Sequence, residues 1–320
     1  MTMRLFALQA THDFGARVAV QLGCELSPHE EREFEDGEHK ARPLGNVRGD
    51  DAYVVQSLHS DARCTASEKL VRLLFFASTL RDHGAARVTA VIPYLAYARK
   101  DRRTKPFDPV TSRYVAQLME ASGIEAVVVF EVHNVAAFDN AFRIPALHLT
   151  SAPVLGPEVA RLAGEGVVVV ASPDPGGVKR AQLFRETLLP LLGRDCGSAF
   201  LEKRRSAGVV SGSLLAGEVR DATVFLVDDL ISTGGTLVRA AHACLEHGAR
   251  AVIACAAHGL FASGADKAVL DPALSRILIA DSVEPERLGA AARERLQIVR
   301  AAPLFAAAIR ALHDGTTLAT

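Results

Sequence analysis

The chain has no tryptophan, and aromatic residues fill only 6% of its 320 positions. Neither sign of charge is in surplus. Thirty-six Lys and Arg stand against 37 Asp and Glu, a formal net charge of −1, which argues against a protein that holds duplex nucleic acid by neutralising phosphates. Long apolar runs are also missing: stretches such as residues 251–257 fall far short of the ~20 residues that span a bilayer. Arg4, His12 and Asp13 interrupt the N-terminus, so no secretory apolar segment forms there. The expectation is a cytoplasmic protein with no membrane or nucleic-acid partner. The five cysteines (Cys24, Cys64, Cys196, Cys244, Cys255) include no close pair, which excludes a disulfide framework and a structural zinc knuckle. No Gly-Lys dipeptide and no GxGxxG occurs, so neither the Walker A loop nor the dinucleotide fingerprint is available to hold a nucleotide. Lysine itself is scarce: only Lys40, Lys69, Lys100, Lys105, Lys179, Lys203 and Lys267 stand among the 36 cations. A lysine inside a motif therefore carries information.

What is present is hydrophobic residue, 49% of the chain, arranged in short apolar runs that alternate with amphipathic stretches. Strands are predicted at 52–58, 87–93, 125–132, 166–172, 199–203, 223–228, 251–256 and 276–281. Several are continuously apolar, as strands buried on both faces of a parallel sheet are. Helices are predicted at 67–83, 110–122, 178–192 and 237–247, with Gly84, Gly123 and Gly248 placed as C-terminal caps after three of them. At ~100–200 residues per domain, the length suggests two. The Ser, Pro and Gly cluster at 150–157 marks the boundary, giving domains 1–150 and 151–320. Val91-Ile92-Pro93 leading to Arg99 and Ala171-Ser172-Pro173 leading to Lys179-Arg180 form a thin internal echo, as two similar α/β domains would.

The most specific segment is Val224-Phe225-Leu226-Val227-Asp228-Asp229-Leu230-Ile231-Ser232-Thr233-Gly234-Gly235-Thr236. A buried strand ends in two carboxylates, and a turn of small residues then opens onto a helix. Backbone N–H groups from Ser232 to Thr236 and the helix N-terminus suit a phosphate. The acids suit hydroxyls or a metal, so a sugar phosphate satisfies both halves. Four cations crowd Arg99-Lys100-Asp101-Arg102-Arg103 after a strand end, a seat for polyphosphate. His133 and Asp174 follow two further strands, read as neighbours. Lys203 and Arg205 begin a glycine-bearing connection, 206–221, suited to a lid. Phe34-Glu35-Asp36-Gly37-Glu38 reads alone as a solvated turn.

These motifs resemble a known family. The 224–236 segment is similar to the ribose-5-phosphate signature shared by type I phosphoribosyltransferases and ribose-phosphate pyrophosphokinases, and so does not choose between them. The segments 34–38 with 46–49, 91–103, 131–133, 172–180 and 202–205 resemble the pyrophosphokinases. The resemblance runs nearly end to end, to a closing strand and helix in 299–312. It implies two type I phosphoribosyltransferase-like α/β domains with mostly parallel sheets. It implies transfer of the diphosphoryl group of ATP to ribose 5-phosphate, giving 5-phosphoribosyl 1-diphosphate and AMP with Mg2+. It further implies ATP contacts from Phe34, Asp36, Gly37, Glu38, Arg99, Lys100 and Asp101, and ribose 5-phosphate contacts from Asp228, Asp229, Ser232, Thr233, Gly234, Gly235 and Thr236. By the same resemblance His133 and Asp174 hold metal, Lys203 and Arg205 stabilise the group in flight, and a homo-oligomer shares its ATP sites between subunits. The chain departs from the family pattern at Ser232 (often acidic), Lys100 (often Gln) and Glu131 (often Asp), and its Ser-Thr-Gly-Gly-Thr turn resembles the archaeal-type form.

Overall fold

The computed structural model describes residues 1–206 and 209–318, with the side chains of 203–213 outside that description. In chain order the first part runs β1 (Met3–Ala7), α1 (His12–Leu22), β2 (His29–Glu33), β3 (His39–Pro43), β4 (Asp51–Val55), α2 (Ala66–Asp82), β5 (Arg87–Ile92), α3 (Thr111–Ala121), β6 (Ala126–Phe130), α4 (Val135–Ala141) and β7 (Ala146–Leu149). The second part runs α5 (Ala152–Ala163), β8 (Val168–Ser172), α6 (Val178–Leu192), β9 (Gly197–Ser206), β10 (Val209–Ala216), β11 (Thr223–Ile231), α7 (Gly235–Glu246), β12 (Ala251–Gly259), α8 (Ala265–Val269), β13 (Arg276–Ala280), α9 (Ala290–Arg293) and β14 (Leu296–Val299). α10 (Ala302–Asp314) closes the chain.

Among the described residues the strands form two large sheets and one ribbon. The first sheet is parallel, in the order β1-β4-β5-β6-β7. The second has the order β10-β9-β8-β11-β12-β13-β14 and is parallel except for the β9–β10 hairpin at its edge. β2 and β3 pair only with each other. The parallel strands are apolar because both faces are covered: β4, β6 and β8 are buried along their whole length. Gly84, Gly123 and Gly248 take the left-handed conformation expected of helix ends. No helix among the described residues is long and apolar enough to cross a membrane.

The chain divides between Leu149 and Thr150, and its last segment returns to the first unit, where the expectation was one continuous second domain. Unit 1 is Met1–Leu149 with Ala301–Thr320, and unit 2 is Thr150–Arg300. Strand alternation supplies the reason. Ala52, Val54, Val127 and Val129 face the core that α2 and α3 complete, which leaves Tyr53, Phe130 and their neighbours to the opposite face. α10 covers that face. Its Phe305 ring meets Phe14 of α1 edge-on at 5.2 Å and Phe130 of β6 at 5.9 Å, and its Arg310 donates to the last carbonyls of α1, at Gln21 and Leu22. The Ser, Pro and Gly cluster that marks the boundary lies mostly in α5. Pro153 sits in its first turn, where no N–H is needed. A Cβ on Gly156 would come 3.1 Å from Leu191 of α6, so that glycine serves helix packing. The 206–221 connection is likewise not a loop throughout, because β10 occupies half of it.

A buried carboxylate fixes α10. Asp51, fully buried, accepts from Arg87 Nε at 2.7 Å, Tyr53 Oη at 2.9 Å and His313 Nδ1 at 2.7 Å. Burial alone would raise its pKa, but the hydrogen bonds from Arg87, His313 and Tyr53 outweigh burial and hold it below the usual carboxylate range. Asp51→Ala strands Arg87 and His313 and is expected to cost about 3 kcal/mol at pH 7. A carboxyl whose folded pKa is lowered stabilises above its unfolded value of ~3.9 and loses that contribution as pH falls further. Denaturant titrations should therefore show the gap between wild type and variant wide at pH 7 and narrowing below about pH 4.

Candidate functional site

Unit 2 brings its predicted residues together at a reversal of strand order. The chain leaves β8 toward β9 on one side and returns to β11 on the other, and the carboxyl ends of strands flanking such a switch point are where open α/β sheets bind ligands. Asp174 follows β8. Its Oδ1 accepts from Gly176 N at 3.0 Å, and its carbonyl accepts from Ser172 Oγ at 2.6 Å, which folds the 172–177 turn tightly onto the strand end. Asp228 and Asp229 lie near the end of β11, the first half-buried and the second buried. Asp229 N donates to Asp228 Oδ1 at 2.9 Å. One guanidinium nitrogen of Arg180, in the first turn of α6, lies 3.8 Å from a carboxylate oxygen of each acid. Nothing in the local sequence assigns Arg180 a part in the site; the pairing of β8 with β11 supplies it.

Burial, with the adjacent Asp229, pushes the Asp228 carboxyl up to about 8, against the pull of Arg180. Full ionisation of the ligand-free pair is therefore disfavoured. A carboxylic acid beside a carboxylate can donate one hydrogen bond and accept several, which suits neighbouring sugar hydroxyls.

The 232–236 turn follows. Gly234 takes φ +76° as the residue before α7, and no side chain caps that helix, so its first N–H groups have no side-chain acceptor, as an anion-binding helix start requires. A Cβ on Gly234 would lie 2.6 Å from the Cβ of Ala268 in α8, so this position needs glycine for both conformation and space. Ala262 N donates to Ser232 O at 3.0 Å, and Leu260 and Phe261 donate to Ile231 O, which pins the turn from outside. Arg239, one helical turn on, donates to Thr236 Oγ1 at 3.2 Å. Its spacing three after Thr236 is the signal that could have found it.

Unit 1 holds the nucleotide candidates. Arg99 is exposed, in the loop after β5. Lys100 is paired within its own loop: its ammonium lies 2.6 Å from Asp108 Oδ2, which also accepts from Thr104 Oγ1 at 2.7 Å and from the Thr104 and Lys105 amides. The Lys100 hydrogen bond leads in holding the Asp108 carboxyl far below its ordinary range. Asp101 accepts from Asn134 Nδ2 at 2.6 Å, which ties this loop to the residue after His133. Phe34, Asp36, Gly37 and Glu38 form the exposed turn joining β2 to β3, closed by Phe34 N to Glu38 O at 2.8 Å. The Arg32 guanidinium lies 4.8 Å from the Phe34 ring centroid.

Two expectations change. β6, before His133, and β8, before Asp174, belong to different sheets, so these are not neighbouring strand ends. Lys203 and Arg205 fall in β9, opposite Ser213 and Val210 of β10, and their side chains lie outside the described residues. Among the described residues no three His, Cys, Asp or Glu side chains gather as a metal cage.

Two mostly parallel sheets flanked by helices, one with an acid pair and a glycine turn at its switch point, have the form of a phosphoribosyltransferase-type chain. A model of the N-terminal domain of ribose phosphate pyrophosphokinase matches residues 3–123, and a phosphoribosyl transferase domain model matches 158–273. The ribose-phosphate pyrophosphokinase of Caldanaerobacter subterraneus subsp. tengcongensis is 35% identical over 320 residues, covering 99% of this chain and 96% of that one. That of Fusobacterium nucleatum is 34% identical over 312 residues, covering 96% and 94%. The crystal structure of phosphoribosylpyrophosphate synthetase from Mycobacterium smegmatis superposes with a TM-score of 0.86 at 29% identity, covering 98% of this chain and 100% of that one. The chain belongs to the ribose-phosphate pyrophosphokinase family.

The acid pair can be read directly. Carboxyl 13C NMR of the ligand-free chain should show Asp228 titrating near pH 8, and Arg180→Met should move that midpoint higher, because the arginine favours the ionised form. A midpoint near 4 would remove the case for a shared proton.

Proposed function

We propose that the chain transfers the diphosphoryl group of ATP to the anomeric hydroxyl of ribose 5-phosphate. The hydroxyl oxygen bonds the β-phosphorus as the bridging bond to the α-phosphate breaks. The products are 5-phosphoribosyl 1-diphosphate and AMP, and the hydroxyl proton passes to solvent. The acid pair four residues ahead of an anion-binding turn, in a chain aligned end to end with ribose-phosphate pyrophosphokinases, carries this reading.

Asp228 and Asp229 hold the ribose hydroxyls, and the Ser232–Thr236 backbone holds the 5-phosphate, with Gly234 and Gly235 leaving room for it and Thr233 at its exposed rim. Arg99 meets the ATP phosphates, Asp101 keeps its loop in place, and Lys100 shapes that loop through Asp108. Phe34, Asp36, Gly37 and Glu38 bind the nucleotide of a neighbouring copy, so the working form is a homo-oligomer of at least two chains. The exposed Phe34, in a turn otherwise acidic and glycine-bearing, supports this. Lys203 and Arg205 neutralise the diphosphoryl group in transit. Catalysis is then positioning and charge neutralisation.

His133 and Asp174 are the candidate Mg2+ ligands. They lie in different units, and each alone suits an ion that keeps several waters and takes its remaining ligands from substrate phosphates. Bound there, Mg2+ would neutralise charge on the polyphosphate.

Release of AMP from ATP, strictly dependent on ribose 5-phosphate, tests the activity. ADP as the product, or no dependence on the sugar, would defeat it. Lys203→Ala and Arg205→Ala should each lower kcat by roughly 10²–10³-fold with KM changing far less. A mainly KM effect would place both residues in ground-state binding instead.

A further inference from the structure

The β2–β3 ribbon presents a physical problem. Its strands read His-Glu-Glu-Arg-Glu and His-Lys-Ala-Arg-Pro, so it has almost no apolar surface with which to hold itself against unit 1, and it pairs with no other strand. Yet it carries the 34–38 turn at its tip. Isolated two-stranded ribbons are marginal in water, so something other than hydrophobic burial fixes this one.

The inward face holds the answer. His29, Glu31 and Glu33 alternate onto one face of β2, and His39 and Ala41 onto the same face of β3, against α2. Glu31 lies between the two imidazoles. Its Oε1 is 2.9 Å from His29 Nε2 and its Oε2 is 3.0 Å from His39 Nε2, with side-chain exposures of 7%, 13% and 9% for Glu31, His29 and His39. Oε1 also accepts the backbone N–H of Gln9, just after β1, at 2.6 Å. An ionised carboxylate has no proton to give, so both imidazoles donate from Nε2 and Glu31 collects three donors. Burial opposes the ionised form, and the hydrogen bonds from His29 and Gln9 outweigh it to lower the Glu31 pKa. The His29 ring is itself lodged between Phe6 of β1 at 6.2 Å and Phe76 of α2 at 5.4 Å. At the rim, Arg72 of α2 pairs with Glu33 at 3.0 Å. Each carboxylate oxygen takes one histidine, which is a clamp and not a metal cage.

We infer that His29, Glu31 and His39 are positioning residues for the nucleotide: this buried clamp sets the angle at which the ribbon presents the 34–38 turn to ATP. The inference rests on the reading of that turn as an ATP contact. Hydrogen bonds to a charged group are the strong kind, and losing one leaves buried donors unsatisfied. The loss falls on a ribbon with little else to hold it.

Amide hydrogen exchange and steady-state kinetics on the full chain test this together. In Glu31→Gln and His39→Leu, ladder amides of 29–43 should exchange at least about tenfold faster, with α2, β4 and β5 unchanged, and KM for ATP should rise roughly tenfold. The kcat and the KM for ribose 5-phosphate should stay within about twofold. His39→Gln should restore both readouts, since its side-chain amide offers an N–H close to where Nε2 stood. Unchanged ribbon exchange overturns the clamp, as does faster exchange throughout unit 1, which marks a merely structural role. Loosened ribbon amides with an unchanged KM for ATP also overturn the inference. Phe34→Ala then locates the fault: a raised KM for ATP leaves the turn in the nucleotide site and condemns the clamp alone, whereas no change condemns the ATP reading of the turn.

Discussion

Two adjacent carboxylates near the end of a buried strand cannot both be ionised without opposing charge, and unit 2 is arranged around that constraint. Arg180 reaches Asp228 and Asp229 from the next strand–turn–helix connection, which requires β8 and β11 to be neighbours. They are neighbours only because the chain runs outward to β9 and β10 before returning. Even so, Arg180 does not offset the burial of Asp228 beside a second acid, and the Asp228 carboxyl rises to about 8 with burial as the leading cause. Beyond the acids lies the start of α7, which has no side-chain cap. In the function proposed for the chain, these opposite polarities a few residues apart would take the opposite ends of a sugar phosphate, hydroxyls toward the acids and phosphate toward the amides.

Polar interactions also decide the shape of unit 1. Asp51 draws α10 onto a sheet face that the first 149 residues leave open. Asp108 gathers Lys100, Thr104 and Lys105 into one loop, giving a structural reason for a lysine where the family often has glutamine. Ser232 engages Ala262 through its carbonyl, a contact that any residue there could make. Glu131 sits at φ +39° with its N–H bonded to Leu149 O at 2.8 Å, a conformation uncommon for a non-glycine residue.

The sequence made the more strongly patterned apolar elements legible, although β1 and α1 were not among those expected. Strands such as Ala-Val-Val-Val-Phe of β6 and helices such as α6 stand where continuous or periodic hydrophobicity put them. β2 did not announce itself, because a strand held by a buried carboxylate between two histidines has no apolar alternation to detect. α5 was hidden by its prolines and Gly156. The assignment of α10 to unit 1 depended on which sheet face lacked cover, which no local pattern encodes. At the site, the acid pair and turn were readable because they are contiguous. The partners supplied from elsewhere, namely Arg180 for the acids and Asp108 for Lys100, were not.

Amide hydrogen exchange with ribose 5-phosphate alone addresses the central claim most directly, that the end of β11 and the turn after it form the sugar-phosphate seat. The account predicts protection concentrated in residues 228–238, saturating with sugar phosphate and absent with ribose. Protection of the 94–110 loop instead, or equal protection by ribose, would contradict it.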